Sequence, residues 1–256
     1  MGIGEIDLVE IVFTLFWLFF AGLIIYIRKE DKREGYPLES DRSDRSRRVA
    51  VVGFPSPGAT KEFKTLHDGI VKAPRNDPDR ELAAKPAARY PGAPLVPTGN
   101  PLVDGVGPAA WSDRADVPDK TLHGDNRIVP MRVAKEFVVA AQDPDPRGMD
   151  VIGCDGEVAG VVADIWVDLG EPMIVFLEVD LGAEHGNKHV LLPAGFVRYK
   201  VAQRQVQVQS IYAHQFVDVP ALASPDQVTL LEEDKLYGYY AGGKLYADAS
   251  RQEPLI

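Results

Sequence analysis

The strongest hydrophobic pattern comes first along the chain. From Ile11 to Ile27 runs IVFTLFWLFFAGLIIYI, seventeen residues without a charge, and Ile6, Leu8 and Val9 extend it upstream between Glu5, Asp7 and Glu10. A bilayer-spanning helix needs about 20 mainly apolar residues, so the pattern predicts a transmembrane helix over 11–30 behind a short N-terminus, 1–10. Acids precede the run, whereas Arg28, Lys29, Lys32 and Arg33 follow it. The positive-inside rule then puts the N-terminus outside and the bulk of the chain in the cytoplasm. A cleaved signal peptide would need a basic n-region and a small-residue cleavage site; here the n-region is acidic and the run ends in IYIRKE.

Residues 31–130 follow a different rule. Thirteen of the 20 prolines lie between Pro37 and Pro130. Proline removes a donor and fixes φ, which excludes regular helix and central sheet. The RSDRSRR stretch, Arg42 to Arg48, is polar and predicted to be flexible. The remainder keeps its Leu, Val, Tyr and Trp, so it is predicted to be an extended arm lying on another surface. Brief strands are expected near Val49–Val52 and Glu62–Thr65.

Beyond Met131 the period shortens to two. Val133–Ala140, Val158–Val167, Met173–Leu181, His189–Leu192, Phe196–Val201 and Arg204–Gln209 are strand-like, separated by turn residues. Short strands at close spacing predict a small antiparallel barrel over 131–256. A C-terminal helix is expected from Leu230 to Ala241, opened by Ser224-Pro225-Asp226 and closed by Gly242-Gly243. The fold class is therefore a single N-terminal transmembrane helix plus a mainly-β cytoplasmic domain with a short C-terminal helix.

Charge and composition narrow the function. The chain has 256 residues, 28 bases and 38 acids, a net charge of −10. Residues 1–130 are nearly balanced, with 19 acids and 18 bases, while 131–256 hold 19 acids against 10 bases. That argues against nucleic acid as a partner, since phosphate binding needs a basic face. One cysteine excludes a disulfide framework and a multi-thiolate zinc site. Cys154 lies beside acids in GCDGE, which suits a structural thiol better than a nucleophile. There is no GxSxG, Walker or GxGxxG motif. His185 and His189 are four apart, but across a Gly-Asn turn, so a solvated hairpin is favoured over a metal pair.

Two polar constellations stand out. Asp168-x-x-Glu171 occupies the tip between two apolar strands, and its bland reading is a wet turn. His123-Gly124-Asp125, with Asp119 upstream, sits in a Gly/Pro loop. It could pass protons or weakly bind a divalent metal at the surface, and its bland reading is an ordinary loop.

Several long strings resemble the H subunit of the purple-bacterial photosynthetic reaction centre, a PRC-barrel family. They are REGYPLE (33–39), PTGNPLVDGVGPAAW (97–111), NRIVPM (126–131), GCDGEVAGVVADIWVD (153–168), SPDQVTLLEEDK (224–235) and YYAGGKLYA (239–247). The resemblance implies a non-enzymatic accessory subunit in the bacterial inner (intracytoplasmic) membrane, in contact with lipid. It would cap the L and M subunits, with a tetrahaem or soluble cytochrome and light-harvesting antenna in the same complex. Bacteriochlorophyll, bacteriopheophytin, quinones and non-haem iron would be held by partner subunits, and no cofactor or metal by this chain. Reducing the secondary quinone to quinol takes two electrons and two protons, and clustered, desolvated carboxylates hold protons near neutral pH. By resemblance, Glu171 and Asp168 belong to such a cluster, and His123 and Asp125 to the region of proton uptake. Some members carry His where this chain has Asp125 and an acid where it has Thr121, so uptake here is expected to be weaker or rebuilt around Asp125 and Asp119. Two other readings are a membrane-anchored PRC-barrel adaptor that moves no protons and, more distantly, a metal hydrolase using His123 and Asp125.

Overall fold

The structure, a computed structural model, describes residues 8–33, 38–39, 50–51, 53–67, 69–74, 80–90 and 92–252. The RSDRSRR stretch lies outside them. Contacts divide the chain into two compact units, Met1–Arg80 with Ala88–Ala93, and Glu81–Ala87 with Pro94–Ile256.

The first unit is built on α1 (Leu8–Asp31), whose residues are not buried by the rest of the chain. At about 1.5 Å per residue its 24 residues reach roughly 36 Å, long and apolar enough to cross a bilayer. Phe13, Phe16, Trp17 and Phe20 form a run of ring contacts along it. Its C-terminal end is tied down by cations. Lys32 is buried and donates to the Pro55 carbonyl at 2.8 Å, and Lys61 reaches Glu30 at 2.6 Å. Among the described residues this unit also holds two antiparallel strand pairs, β1 (Leu38–Glu39) with β2 (Ala50–Val51) and β3 (Lys61–Lys64) with β4 (Ile70–Ala73).

The second unit opens with a hairpin of β5 (Ala84–Pro86) and β6 (Leu95–Pro97), then a single helical turn, α2 (Pro101–Asp104). Asn100 caps α2, and Gly105 ends it at φ 66°, where the Trp111 ring covers the space a Cβ would need. The sheet follows: β7 (Ile128–Pro130), β8 (Asp150–Ile152), β9 (Val158–Asp168), β10 (Met173–Asp180), β11 (His189–Pro193), β12 (Val197–Lys200) and β13 (Gln205–Val208). Its order is β11-β10-β9-β8-β13-β12, with β7 added to the distal half of β9. The described pairings do not close into a ring, and β8 runs parallel to β13. Trp166, Ile165, Phe176, Leu177, Leu191 and Leu192 are almost wholly buried in the core.

Three local expectations change. Val133–Ala140 forms turns and irregular backbone, with Val138 82% exposed; β-branched composition alone cannot make a strand without a neighbouring edge to pair with. The strand is instead Ile128–Pro130, too short to show a period. The C-terminal helix, α3 (Leu230–Tyr246), starts at Thr229, whose side chain accepts from Glu232 N while Glu232 returns to Thr229 N. This Thr-x-x-Glu box is a sharper start signal than Ser-Pro-Asp. The helix also runs through Gly242-Gly243 rather than ending there. A Cβ at Gly242 would strike Ala109, and one at Gly243 would strike Ile211 and Ser210. Those glycines exist for close packing, not for a left-handed cap.

Candidate functional site

The end of β9 and the start of β10 carry Asp168 and Glu171 on a tight turn. Asp168 shapes that turn: its Oδ1 accepts from Gly170 N at 2.7 Å and from Glu171 N at 3.0 Å. Its Oδ2 accepts from Arg127 Nε at 2.8 Å. Arg127 is placed by pairing of the chain just before β7 with the turn, since its carbonyl accepts from Leu169 N. The rest of its guanidinium reaches Asp119 Oδ2 at 3.4 Å and Glu171 Oε1 at 3.5 Å. One cation thus faces three carboxylates.

These carboxylates differ in environment. The Asp168 side chain is 9% exposed and that of Glu171 is 75% exposed. Burial alone would raise the Asp168 carboxyl, but Arg127 and the two turn amides outweigh it and hold it below the usual carboxylate range. A fourth acid joins from α3. Burial pushes the Glu233 carboxyl up to about 7; Arg114 opposes this, while Asp119 and Asp234 add to it. Glu232, Glu233 and Asp234 are three consecutive acids of α3. The structure separates them: Glu232 caps α3, Asp234 accepts from Ser112 N at 3.1 Å, and Glu233 is half-buried toward the Arg127 site. The capping box was the available clue, because it fixes which helix face Glu233 occupies.

His123 and Asp125 lie at the exposed tip of the loop that Asp119 and Arg127 close at its base. Arg127 N donates to Asp119 O at 2.9 Å, and Thr121 N to Asp125 O at 2.9 Å. Among the described residues, neither side chain makes a hydrogen bond or ion pair with Asp168 or Glu171. The structure therefore brings Asp168 and Glu171 together through Arg127 and connects His123 and Asp125 to them only by the loop. Among the described residues no group of three or more His, Cys, Asp or Glu is set to hold a metal ion.

A second polar cluster occupies the middle of the sheet. Arg132 Nη1 donates to Asp164 at 3.2 Å and to Glu178 at 2.5 Å, and its Nε to Asp226 at 3.0 Å. Its remaining arm bonds the Pro225 carbonyl. Trp166 Nε1 donates to Glu178 at 2.8 Å. Asp226, expected to open the last helix, serves here instead.

Comparison with protein families places both regions. Residues 139–215 match the PRC-barrel domain, which covers most of the sheet and defines the class of the second unit. Residues 2–133, over half the chain, match the N-terminal region of the photosynthetic reaction centre H-chain. The chain belongs to the H-chain family of the photosynthetic reaction centre, a structural subunit associated with that complex and with the membrane.

Proposed function

We propose that this chain caps the L and M subunits on the cytoplasmic side of the membrane and helps carry protons to the secondary quinone, while partner subunits hold the pigments, quinones and iron. The N-terminus is then periplasmic and α1 is the anchor. The observation that carries the proton role is the Arg127 site: one guanidinium, a carboxylate held ionised at Asp168, an exposed carboxylate at Glu171, and Glu233 near 7.

The division of labour follows from physical chemistry. A proton carrier works best when its pKa lies near the working pH. Glu233 meets that condition. Asp168 does not, so its part is electrostatic: it fixes Arg127 and aims the turn. Glu171 projects from that turn, free to meet a buried quinone site once the partners cover it. His123 and Asp125, at the exposed tip of the loop, are placed to exchange protons with water.

Flash-induced quinone turnover, with proton uptake followed by a pH dye, tests this reading. Glu171→Gln keeps the shape and removes the proton. It is expected to slow the proton-coupled second electron transfer and to leave charge separation and the first transfer intact. Wild-type rates in Glu171→Gln across the neutral range would reduce the turn to a wet surface loop.

A further inference from the structure

The first unit holds a hairpin that the proton reading leaves without a role. β3 and β4 pair Lys61 with Ala73, Glu62 with Lys72, Phe63 with Val71 and Lys64 with Ile70. Side chains alternate along a strand, so Lys61, Phe63, Val71 and Ala73 share one face, and Glu62, Lys64, Ile70 and Lys72 the other. The second face carries an exposed ion pair, with Lys72 Nζ 2.9 Å from Glu62 Oε1. The first face is apolar apart from Lys61, yet Phe63 is 48% exposed and Val71 39%.

Lys61 shows which way that first face points. Its ammonium reaches Glu30 Oε2 at 2.6 Å and lies 5.9 Å from the centre of the Tyr26 ring, both on the last turns of α1. The same end of the helix is tied to the chain that leads into the hairpin. Lys32 donates to the Pro55 carbonyl, and Arg33, paired with Glu30, donates to the Ala59 carbonyl. Phe63 and Val71 therefore face the side on which α1 ends. Depth follows from helix geometry. Glu30 lies three residues beyond Ile27, the last residue of the apolar run, which is about 4.5 Å along the axis. A headgroup layer is roughly 5–8 Å deep, so Lys61 and the face it belongs to lie within it. Phe54, 83% exposed and next to Pro55, lies at the same end of the helix, and Leu66 at the hairpin tip is 73% exposed. Exposed aromatic and aliphatic side chains among lysines at this depth are the composition of an interfacial contact. Charge agrees. Residues 28–34 and 61–73 hold seven bases against five acids, a balance of +2 in a chain of −10, which suits phosphate headgroups.

We propose that the Phe63–Val71 face of the β3–β4 hairpin, with Phe54, inserts into the phospholipid headgroup layer beside α1 as a second membrane contact of this chain. The proposal rests on α1 being the anchor and is independent of the proton role of the Arg127 cluster.

The test is electron paramagnetic resonance of a nitroxide on single cysteines, with Cys154→Ser as background, in the assembled complex reconstituted into vesicles of phosphatidylcholine and phosphatidylglycerol. Oxygen concentrates in lipid and a nickel chelate in water. A label at Phe63→Cys is expected to show a several-fold higher ratio of oxygen to chelate access than one at Glu62→Cys on the wet face. Equal ratios overturn the proposal, because the face is then in water. A label at Phe63→Cys that neither agent reaches overturns it too, because protein and not lipid then covers the face. A label at Leu18→Cys reports the anchor separately, since a spanning helix keeps it from the chelate whether lipid or a partner lies against it. Chelate access there would remove the anchor and the proposal with it, whereas a sealed Leu18→Cys with a wet Phe63→Cys overturns the hairpin contact alone. If Phe63→Cys fails to assemble, Val71→Cys on the same face decides the matter by the same criteria.

Discussion

Two arginines five residues apart, on either side of β7, organise the second unit in opposite ways. Arg132 sits over β9 and β10 and gathers Asp164, Glu178 and Asp226; the Asp164 and Glu178 side chains are 10% and 9% exposed. Arg127 gathers Asp119, Asp168 and Glu171 at the sheet edge, where Glu171 is 75% exposed. Each cluster draws one acid from β9, Asp164 or Asp168, and the rest from other segments, so the chemistry of the residues is alike. Depth is what differs. A buried pair is costly to break because the orphaned charge stays buried, whereas an exposed partner contributes little to stability and is free for other work. The Arg132 cluster is therefore scaffold. The Arg127 cluster has only Asp168 sealed, and its outer acid is available for function.

The sharpest break in this comparison comes from removing each arginine in turn. Arg132→Leu leaves Asp164 and Glu178 buried without their cation and is expected to cost about 3–5 kcal/mol of stability. Arg127→Leu leaves Asp168 with its two turn amides. Its cost is expected to be smaller, about 1–3 kcal/mol. Urea unfolding of both variants in detergent measures the difference. Equal losses would show that depth does not separate the two clusters.

The next test exchanges the roles of two glutamates on β10 and its leading turn. Glu178→Gln removes the charge that Arg132, Trp166 and His189 share and should destabilise the fold by about 1–3 kcal/mol. It should leave quinone turnover intact in whatever protein folds. Glu171→Gln should do the reverse, with stability within about 0.5 kcal/mol of wild type and slower second electron transfer. If both variants lose stability alike, Glu171 is a structural residue.

The contrast also explains what was readable beforehand. The apolar run of α1 is long and unbroken, and the long hairpin of β9 and β10 and the last helix supply much of the core. Asp168 and Glu171 were visible because their spacing places two acids on one turn between apolar runs. Neither arginine was. Arg127 and Arg132 meet their acids across 41 and 46 residues of chain, at Asp168 and Glu178, and no local pattern records a contact made by strand pairing. Glu233 was hidden by its neighbours, since three consecutive acids look alike until the cap at Thr229 fixes the helix phase. Gly242-Gly243 misled for a related reason: glycine serves both as a helix stop and as a packing groove, and only Ala109 and Ile211 on the other side decide which.

The most gradual effects should come from titration within the Arg127 cluster, where two acids lean in opposite directions. Asp168 is held below its ordinary range. The unfolded chain then binds its proton more tightly, so this group adds stability that is present above the unfolded value of 3.8 and is lost as pH falls through the lower folded value. Glu233 is the converse. Its folded value is about 7 against 4.5 unfolded, so between those values the folded chain holds a proton that the unfolded chain has released. Stability should therefore fall as pH rises through that window, by less than about 1.4 kcal/mol per pH unit for one proton. Glu233→Gln should flatten this slope and leave the acid limb unchanged, while Asp168→Asn should weaken the acid limb and leave the neutral slope. Unfolding free energies measured from about pH 3 to pH 8 separate the two. A neutral slope that survives Glu233→Gln would assign the neutral proton to another group and remove Glu233 from the proton path. A slope that vanishes in Glu233→Gln, together with slower proton uptake in the assembled complex, would tie the half-buried acid of α3 to the exposed acid of the turn through Arg127.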